Sequence, residues 1–257
     1  MYYSSLAFGN NMTSTNKEIL MTQVEVSVIV PTYNRAHRLA RCLDSIPWRT
    51  HRNLEIVVVD DGSTDNTRDV LSAFVKQDAP LRRVEFKDNL GVGAARVAGL
   101  AHSRGAIVMW LDSDDEWLPG AYELLLDKLT STEHVEVVLG QTFHRKEPGL
   151  AWPAWVPESM RGEAGFCHVF GAMAMHKSVF SRYPINGSLR QSEDWDWILR
   201  LKLDNIPIER ICKPILTRWV GHDNLCHNKA QAKEYLEPIL LAYARELNNK
   251  KRLREKL

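Results

Sequence analysis

Several carboxylates follow an apolar run near the middle of this sequence. Asp112–Asp115 (DSDD) comes directly after Ala106–Leu111, a segment whose composition is typical of a buried strand. Carboxylate oxygens at one strand end are ligands that Mg²⁺ prefers, and a cation held there could bind phosphates. Asp and Ser are also ordinary turn formers, so the cluster alone fits an acidic turn equally well.

A second acidic pair follows another apolar run. Asp60 and Asp61 come after Leu54–Val59, and a carboxylate at a strand end can accept a hydrogen bond from a base or a ribose. Ser63 or Thr64 could cap the helix that follows. Turn and cap chemistry accounts for the hydroxyl residues, but it does not account for two adjacent carboxylates.

A third feature is Gly91 and Gly93 at a predicted helix start, with Arg96 one turn later. As a dinucleotide-binding signature the pair is weak, because the third glycine is missing and the motif follows the third predicted strand. Small residues would instead let the helix pack closely on a sheet, with Arg96 facing the acidic cluster or a phosphate. A solvated helix arginine is the alternative.

Alternating strands and helices separate these clusters. The predicted strands are Val24–Val30, Leu54–Val59, Arg82–Phe86, Ala106–Leu111 and Val135–Leu139, and the predicted helices are Arg35–Ile46, Thr64–Val75, Gly91–Ser103 and Pro119–Leu129. This alternation predicts an α/β fold with a mostly parallel central sheet flanked by helices. Ligands of such sheets bind at the carboxyl ends of the strands. We therefore expect Pro31–Asn34, Asp60-Asp61 and the acidic cluster at one sheet edge, with Pro31 ending the first strand.

The pattern changes after residue 140. Pro148–Pro157 is rich in Pro and Trp and predicts a loop with exposed aromatic surface. Short helices are predicted over Ser178–Tyr183 and Glu193–Leu203. A long helix is predicted from Lys229 to Leu257, broken or bent near Pro238.

Length, charge and composition restrict the class of protein. The chain has 257 residues, 44% of them hydrophobic, and a net charge of +1, so no global field favours nucleic acid. The four cysteines form no CxxC pair, which favours reduced intracellular thiols. No apolar stretch approaches the roughly 18–20 residues that cross a bilayer. Met1–Gln23 lacks the features of a signal peptide, so we expect a polar tail and a cytoplasmic protein.

Four segments resemble, in order and spacing, the successive signatures of glycosyltransferase family 2. They are Val28–Asn34 (VIVPTYN), Val57–Ser63 (VVVDDGS), Asn89–Gly99 and Leu111–Asp115 (LDSDD). The resemblance is close from Val26 to Leu118 and weaker to about residue 225. It implies a GT-A-type fold, in which a nucleotide-sugar-binding half continues into an acceptor-binding half. The implied reaction is transfer of a sugar with inversion at the anomeric carbon.

The resemblance also implies roles on the donor side. Tyr33 would be a wall of the nucleobase pocket, Asp61 would bond the base and Arg96 would lie near the nucleotide. Asp112 and Asp114 would form the DxD pair, with Asp114 binding Mn²⁺ or Mg²⁺ and Asp112 reaching ribose or metal. The expected donor-binding set is Pro31, Thr32, Tyr33, Asn34, Asp61, Arg96 and Asp112.

Ser192–Trp197 (SEDWDW) resembles the acidic-aromatic segment in which this family places its catalytic base, here Asp194. An inverting transfer needs a carboxylate that takes the proton of the acceptor hydroxyl as its oxygen attacks. The alternative is a set of carboxylates that complement the helix dipole. We place Glu193, Trp195 and Trp155 on the acceptor side. The two tryptophans are placed there because aromatic faces pack against sugar rings, and core packing is the alternative for them.

Arg218–His222 (RWVGH) resembles a late segment of the family in which a histidine can complete the metal site. His222 is therefore a candidate ligand, and Mn²⁺ accepts imidazole more readily than Mg²⁺. A surface histidine is the alternative. A zinc site built from His222, Cys226 and His227 is disfavoured, because only one cysteine lies nearby.

The sequence thus predicts a metal-dependent inverting glycosyltransferase that uses a nucleotide diphosphate sugar, with a UDP-sugar as the expected donor. Its acceptor would be a carbohydrate or glycoconjugate of cell-surface polysaccharide or lipopolysaccharide synthesis. Alternatives are a polyprenyl-phosphate glycosyltransferase, a sugar nucleotidyltransferase and an inactive nucleotide-sugar-binding protein.

The expected organisation has four parts. These are a tail (1–23), a nucleotide-sugar-binding half (24–140), an acceptor-binding and catalytic half (141–228) and a C-terminal helical extension (229–257). The extension ends in the basic run Lys250–Arg254, which allows peripheral contact with anionic lipid. A solvated charged tail is the alternative for this run.

Overall fold

One mixed sheet organises the protein. A computed structural model describes residues 24–153, 156, 158–221 and 229–254, and within them the sheet has nine strands. The strands are β1 (Val26–Thr32), β2 (Leu54–Asp60), β3 (Leu81–Glu85), β4 (Ile107–Trp110), β5 (Glu116–Trp117), β6 (Val137–Lys146), β7 (Ala164–Gly165), β8 (Met173–His176) and β9 (Ile208–Val220). The helices are α1 (Ala36–Ser45), α2 (Thr67–Val75), α3 (Val92–His102), α4 (Ala121–Ser131), α5 (Val179–Arg182), α6 (Glu193–Leu203) and α7 (Lys229–Arg254).

The strand order is β3-β2-β1-β4-β8-β6-β9-β5, with β7 paired to β6. The first four strands in this order are parallel to their neighbours, as the alternation of strands and helices predicts. β8 is antiparallel to both β4 and β6, and it joins the two halves of the chain in one sheet. All seven residues of β2 are buried, as expected for a strand with both faces covered.

β1 runs through Pro31 to Thr32, so the expectation that Pro31 ends the strand was wrong. The Leu111 amide donates to the Ile29 carbonyl at 3.0 Å, so Ile29 faces β4. Pro31, two residues later, faces the same side, where the pairing of β1 with β4 has already ended at Trp110. Its missing N–H therefore removes no sheet hydrogen bond.

The sequence analysis missed β5, β7, β8 and β9, and it ended β6 too early. β8 is only four residues long, which is too short for a periodicity signal. β9 contains charged residues and Pro214, and its register with β6 shifts beside Gln141, opposite that proline. Such a shift lets a strand accommodate a residue without an N–H.

α3 packs very closely on the sheet, as its small residues predict. A Cβ at Gly99 would lie 2.3 Å from Cγ2 of Ile29 and 3.2 Å from Cγ2 of Val59. Both contacts are shorter than ordinary van der Waals separation, so only glycine fits here. The close approach brings Arg96, one turn earlier, over the end of the sheet.

We expect Gly99→Ala to lower the free energy of unfolding by about 1–3 kcal/mol, the usual cost of overpacking a dense core. Urea unfolding measures the change. Ile29→Ala removes the methyl group that clashes. Gly99→Ala should therefore lower the free energy of unfolding less in the Ile29→Ala background than in the wild-type background. Equal costs in the two backgrounds would contradict the contact.

The C-terminal helix α7 was expected to be broken or bent near Pro238, and it is not broken, because the helix continues through this residue. Lys250 fastens it to the end of α6 by donating to the Leu203 carbonyl at 2.9 Å. The tail 1–23 and the side chains of residues 251–254, most of the basic run, lie outside the described residues. In the part of the chain that the structure describes, no helix combines the length and apolar character needed to cross a membrane.

Candidate active site

The loops after β1 and β2 are tied together by Asn34. Its side-chain oxygen accepts a hydrogen bond from the backbone amide of Thr64 at 2.8 Å. Its backbone amide donates to Oγ of Ser63 at 2.9 Å. The cap residue of α2 is Asn66, so the expectation that Ser63 or Thr64 caps this helix was wrong. The amide of the first helical residue, Thr67, donates instead to the carboxylate of Asp65 at 3.0 Å. The two strand ends form one rigid edge.

Asp61 connects this edge to the third loop. Its buried carboxylate accepts hydrogen bonds from the amides of Leu90 (2.7 Å) and Gly91 (2.9 Å) and from Nδ2 of Asn89 (3.0 Å). Burial raises the pKa of Asp61, although the backbone hydrogen bonds from Leu90 and Gly91 oppose that shift. Asp61 thus holds loop 89–91 against the end of β2.

Pro31, Thr32 and Tyr33 lead into this edge. Pro31 and Thr32 are buried, whereas Tyr33 is 43% exposed and presents its ring at the surface of the edge. Oγ1 of Thr32 has no hydrogen-bond partner among the described residues. The Tyr33 ring is therefore open to a ligand at this edge, whereas the Thr32 hydroxyl lies beneath the surface.

Arg96 is buried between the two halves of the site, so the alternative of a solvated arginine was wrong. Nη1 lies 2.7 Å from Oε1 of Glu193, and Nη2 donates to Oδ1 of Asp112 at 2.5 Å. The guanidinium carbon lies 4.9 Å from the ring centre of Phe170. Burial disfavours the charge, but Glu193 and Asp112 together raise the pKa of Arg96. One cation therefore joins the end of β4 to the start of α6.

Glu193 lies beneath the surface, where it is 2% exposed. Burial raises its pKa to about 7, while Arg96 acts in the opposite direction. Its position is that of a buried partner of Arg96.

The acidic cluster divides into residues with different surroundings. Asp115 is buried and accepts a hydrogen bond from the Trp219 amide at 3.0 Å, which ties the cluster to β9. Oδ2 of Asp114 lies 3.8 Å from Nε of Arg35 and 3.9 Å from Nη1 of Arg38. Burial raises the pKa of both carboxyls, and their acidic neighbours raise them further.

Three arginines that the sequence analysis did not assign lie close to these carboxylates. The first is Arg35, described above. The second is Arg38, which is buried and paired with Glu147. The third is Arg218, whose charge lowers the pKa of Asp114. A Cβ at Gly221 would lie 1.9 Å from Nη2 of Arg38, so this arginine also fixes the end of β9. An isolated arginine on a predicted helix gives no sequence signal of burial, which is why Arg38 was missed.

Asp194 lies in the first turn of α6, and its carboxylate accepts a hydrogen bond from the Trp195 amide at 2.8 Å. Burial raises its pKa, while Arg96 and Arg218 lower it. Asp196 instead pairs with Arg200 at 2.8 Å, one turn along the helix, in a half-buried ion pair. Asp194 thus differs from its neighbour in facing the arginines of the site.

The tryptophans of this region have different roles. Trp197 is buried and donates to the Tyr183 carbonyl at 2.7 Å, so it belongs to the core. Trp195 is half-buried, with its ring centre 5.8 Å from that of His168. Trp155 lies outside the described residues.

The proposed metal ligands are only partly described. His222 lies outside the described residues, as do the other residues of the zinc alternative. Within the described ranges no group of three His, Cys, Asp or Glu side chains could hold a metal ion. Asp112 and Asp114 nonetheless supply hard oxygen ligands, and their mutual repulsion, which raises the pKa of Asp114, is what a divalent cation would relieve.

The fold is that of the GT-A-type glycosyltransferases. TarS residues 1–349 of S. aureus, solved in complex with UDP-GlcNAc, is similar with a TM-score of 0.66 and 21% identity, over 86% of this chain and 66% of that one. The mannosyltransferase PcManGT from Pyrobaculum calidifontis, in complex with GDP-Man and Mn²⁺, has a TM-score of 0.65 and 21% identity, over 87% of this chain and 65% of that one.

The chain belongs to glycosyltransferase family 2, because the sequence profile of that family, Glycosyl transferase family 2, matches residues 27–187. An uncharacterized glycosyltransferase of Nostoc sp. is 38% identical over 115 residues, which are 45% of this chain and 36% of that protein. A putative teichuronic acid biosynthesis glycosyltransferase of Bacillus subtilis, TuaG, is 37% identical over 102 residues, 40% of each chain. The aligned part of the chain therefore spans well under half of these curated relatives.

Proposed function

We propose that this protein transfers a sugar from a nucleotide diphosphate sugar to an acceptor hydroxyl, with inversion at the anomeric carbon. The observation that carries the proposal is the bridge Asp112–Arg96–Glu193, in which Arg96 and Glu193 are buried. It joins the carboxylates at the end of β4 to the helix start that bears Asp194. A donor site and a base are thereby held in one charge network.

On the donor side, Tyr33 would be a wall of the nucleobase pocket, with Thr32 behind it. Asp61 is expected to bond the base, but both of its carboxylate oxygens accept from loop 89–91, so we propose that it supports the base through that loop. We favour a UDP-sugar, because a neighbour in fold was solved with UDP-GlcNAc. The neighbour solved with GDP-Man makes a guanine nucleotide the alternative. Residues 24–140 would form this donor half, and residues 141–228 the acceptor half.

The chemical step assigns Asp194 as the base. Its carboxylate takes the proton of the acceptor hydroxyl while that oxygen attacks the anomeric carbon. The bond from this carbon to the diphosphate breaks on the opposite face, and the diphosphate leaves with the electron pair. Arg35, Arg38 and Arg218 surround the adjacent carboxylates and offset the negative charge there.

Asp112 and Asp114, with His222 as a further candidate, would hold Mn²⁺ or Mg²⁺. When bound, such a cation supplies neutralising charge for the leaving diphosphate. A neighbour in fold was solved with Mn²⁺, which supports this assignment.

The other activities fit less well. A sugar nucleotidyltransferase would need a basic, glycine-rich loop directly after β1, and Pro31, Thr32, Tyr33 and Asn34 occupy that position. A polyprenyl-phosphate acceptor would place the same chemistry at a lipid surface. An inactive binding protein would bind donor without using Asp194.

A thermal-shift panel of UDP- and GDP-sugars, with and without Mn²⁺, tests the proposal. We expect at least one donor to raise the melting temperature, with a larger shift when Mn²⁺ is present, because ligands that bind only the folded state stabilise it. Asp114→Asn should lose the metal-dependent part of the shift.

Asp127→Asn, an exposed substitution on α4, is the matched control and should keep the whole response. If no nucleotide sugar shifts the melting temperature and no nucleoside diphosphate is released from any of them, the proposed function is wrong.

A further inference from the structure

The segment that precedes α6, residues 186–191, lies directly on the start of α3. The Gly93 amide donates to the Leu189 carbonyl at 3.2 Å. A Cβ at Gly93 would lie 2.3 Å from that same oxygen and 3.0 Å from the carbonyl oxygen of Asn186. No side chain larger than hydrogen fits between the helix and the segment.

Arg190, in the same segment, contacts the donor-side loop 89–91. Its guanidinium donates to the Asn89 carbonyl at 3.3 and 3.4 Å and also to Oδ1 of Asn89. A Cβ at Gly91 would lie 3.0 Å from Cα of Arg190. Since Asp61 holds the other side of this loop, a continuous set of contacts runs from the end of β2 to residue 190.

α6 begins immediately after this segment. Ser192 has φ 63°, a left-handed turn that redirects the chain into the helix carrying Asp194. On its other side the helix start is held by the ion pair of Arg96 with Glu193. Asp194 is therefore located by two supports, the buried ion pair and the contact of residues 189–190 with the start of α3.

We propose that Gly93 and Arg190 are positioning residues for Asp194: they fix the segment before α6 on loop 89–91, so the placement of the base depends on the donor-side loop. The inference rests on the proposed function of Asp194. It adds that the small residues of the Gly-x-Gly pair serve the base as well as the packing of α3.

Gly93→Ala is the primary test. Within a helix alanine is intrinsically favoured over glycine, so the substitution has no local cost and acts through its contacts with the Leu189 and Asn186 carbonyls. The 2.3 Å contact must lengthen by roughly 1 Å to reach an ordinary van der Waals distance, and the atom that has to move is a backbone oxygen. Because α6 follows this segment directly, the movement displaces Asp194. A displacement of this size at a reacting group lowers the rate by roughly 10- to 100-fold. We expect that fall in kcat for UDP release from UDP-GlcNAc, with the Kd of UDP changed less than about twofold.

Gly187→Ala is the matched control in the same segment. The nearest atom to its Cβ would be Cγ2 of Val97, at 3.1 Å, the end of a side chain, and the nearest backbone atom, Cα of Ala94, would lie at an ordinary 3.9 Å. It should leave kcat within about twofold of the wild type. Arg190→Met should lower kcat like Gly93→Ala, and Arg190→Lys should restore part of the loss because it keeps a donor for the Asn89 carbonyl.

Amide hydrogen exchange gives a readout that does not depend on activity. In Gly93→Ala the amide of Asp196, which donates to the Ser192 carbonyl at 3.0 Å, and the amides that follow it in α6 should exchange faster than in the wild type, while those of β2 stay unchanged. Unchanged exchange in α6 overturns the proposal, and so does an equal loss of UDP affinity and kcat. If the wild type releases no nucleoside diphosphate from any donor, the proposed function fails, and the exchange result alone decides whether these residues position α6.

Discussion

Asp194→Asn should lower the rate of sugar transfer by roughly 10²–10⁴-fold, the usual contribution of a general base. The amide keeps the size of the side chain and can still accept from the Trp195 amide, but it cannot take a proton. The Kd of the donor should therefore stay within about twofold of the wild type, so the loss appears in kcat. Steady-state kinetics and titration calorimetry measure the two quantities.

Asp196→Asn is the control for charge at the start of α6. It removes the charge that faces Arg200 one turn along the helix but keeps an oxygen that accepts from that guanidinium, so kcat should stay nearly unchanged. Burial raises the pKa of Asp194, and only the ionised form accepts a proton, so wild-type activity should fall as the pH decreases through that pKa. Full activity in Asp194→Asn would show that another residue is the base.

The parts of the fold that sequence predicted are those with a local signal. Leu54–Asp60 is apolar apart from Glu55 and its last residue, and Glu193–Leu203 has its carboxylates in the first turn, so both elements were found close to their observed bounds. β8 and β9 have no such signal. Their strand conformation comes from pairing with distant partners in the sheet, and pairing of this kind overrides local propensity.

The candidate site shows the same division. Strand ends placed Asp61 and Asp112 at one edge, because carboxyl ends of parallel strands meet there. The partners of charged groups could not be predicted in this way. Arg38 and Glu147 are distant in sequence, as are Arg96 and Glu193, and only the folded chain brings each pair together.

Arg96→Met should lower the free energy of unfolding by about 3–5 kcal/mol above neutral pH, since removing one partner leaves a buried charge uncompensated. Methionine fills much of the volume of the arginine stem, so the loss reports on charge more than on packing. Glu193, only 2% exposed, is the carboxylate left without its cation, whereas Asp112 is closer to solvent. Urea unfolding of the variant and the wild type gives the difference.

The pH dependence of the unfolding free energy should identify Glu193 as the buried charge that destabilises Arg96→Met. Burial already raises its pKa to about 7, and removing Arg96, which lowers that pKa, moves it higher still. A carboxyl whose pKa is raised on folding stabilises the folded state while protonated, and this contribution is lost as the pH rises through the folded pKa. Arg96→Met should therefore be less destabilised at about pH 5.5 than at about pH 8.5, relative to the wild type.

The Arg96→Met/Glu193→Gln double variant completes the test. With the carboxylate gone there is no buried charge to compensate, so at high pH the double variant should be more stable than Arg96→Met alone. Arg68→Met removes an exposed pair with Glu85 and should change the stability by less than about 1 kcal/mol. If Arg96→Met lowers the free energy of unfolding no more than this control does, or by the same amount at both pH values, the guanidinium does not compensate the buried charge of Glu193.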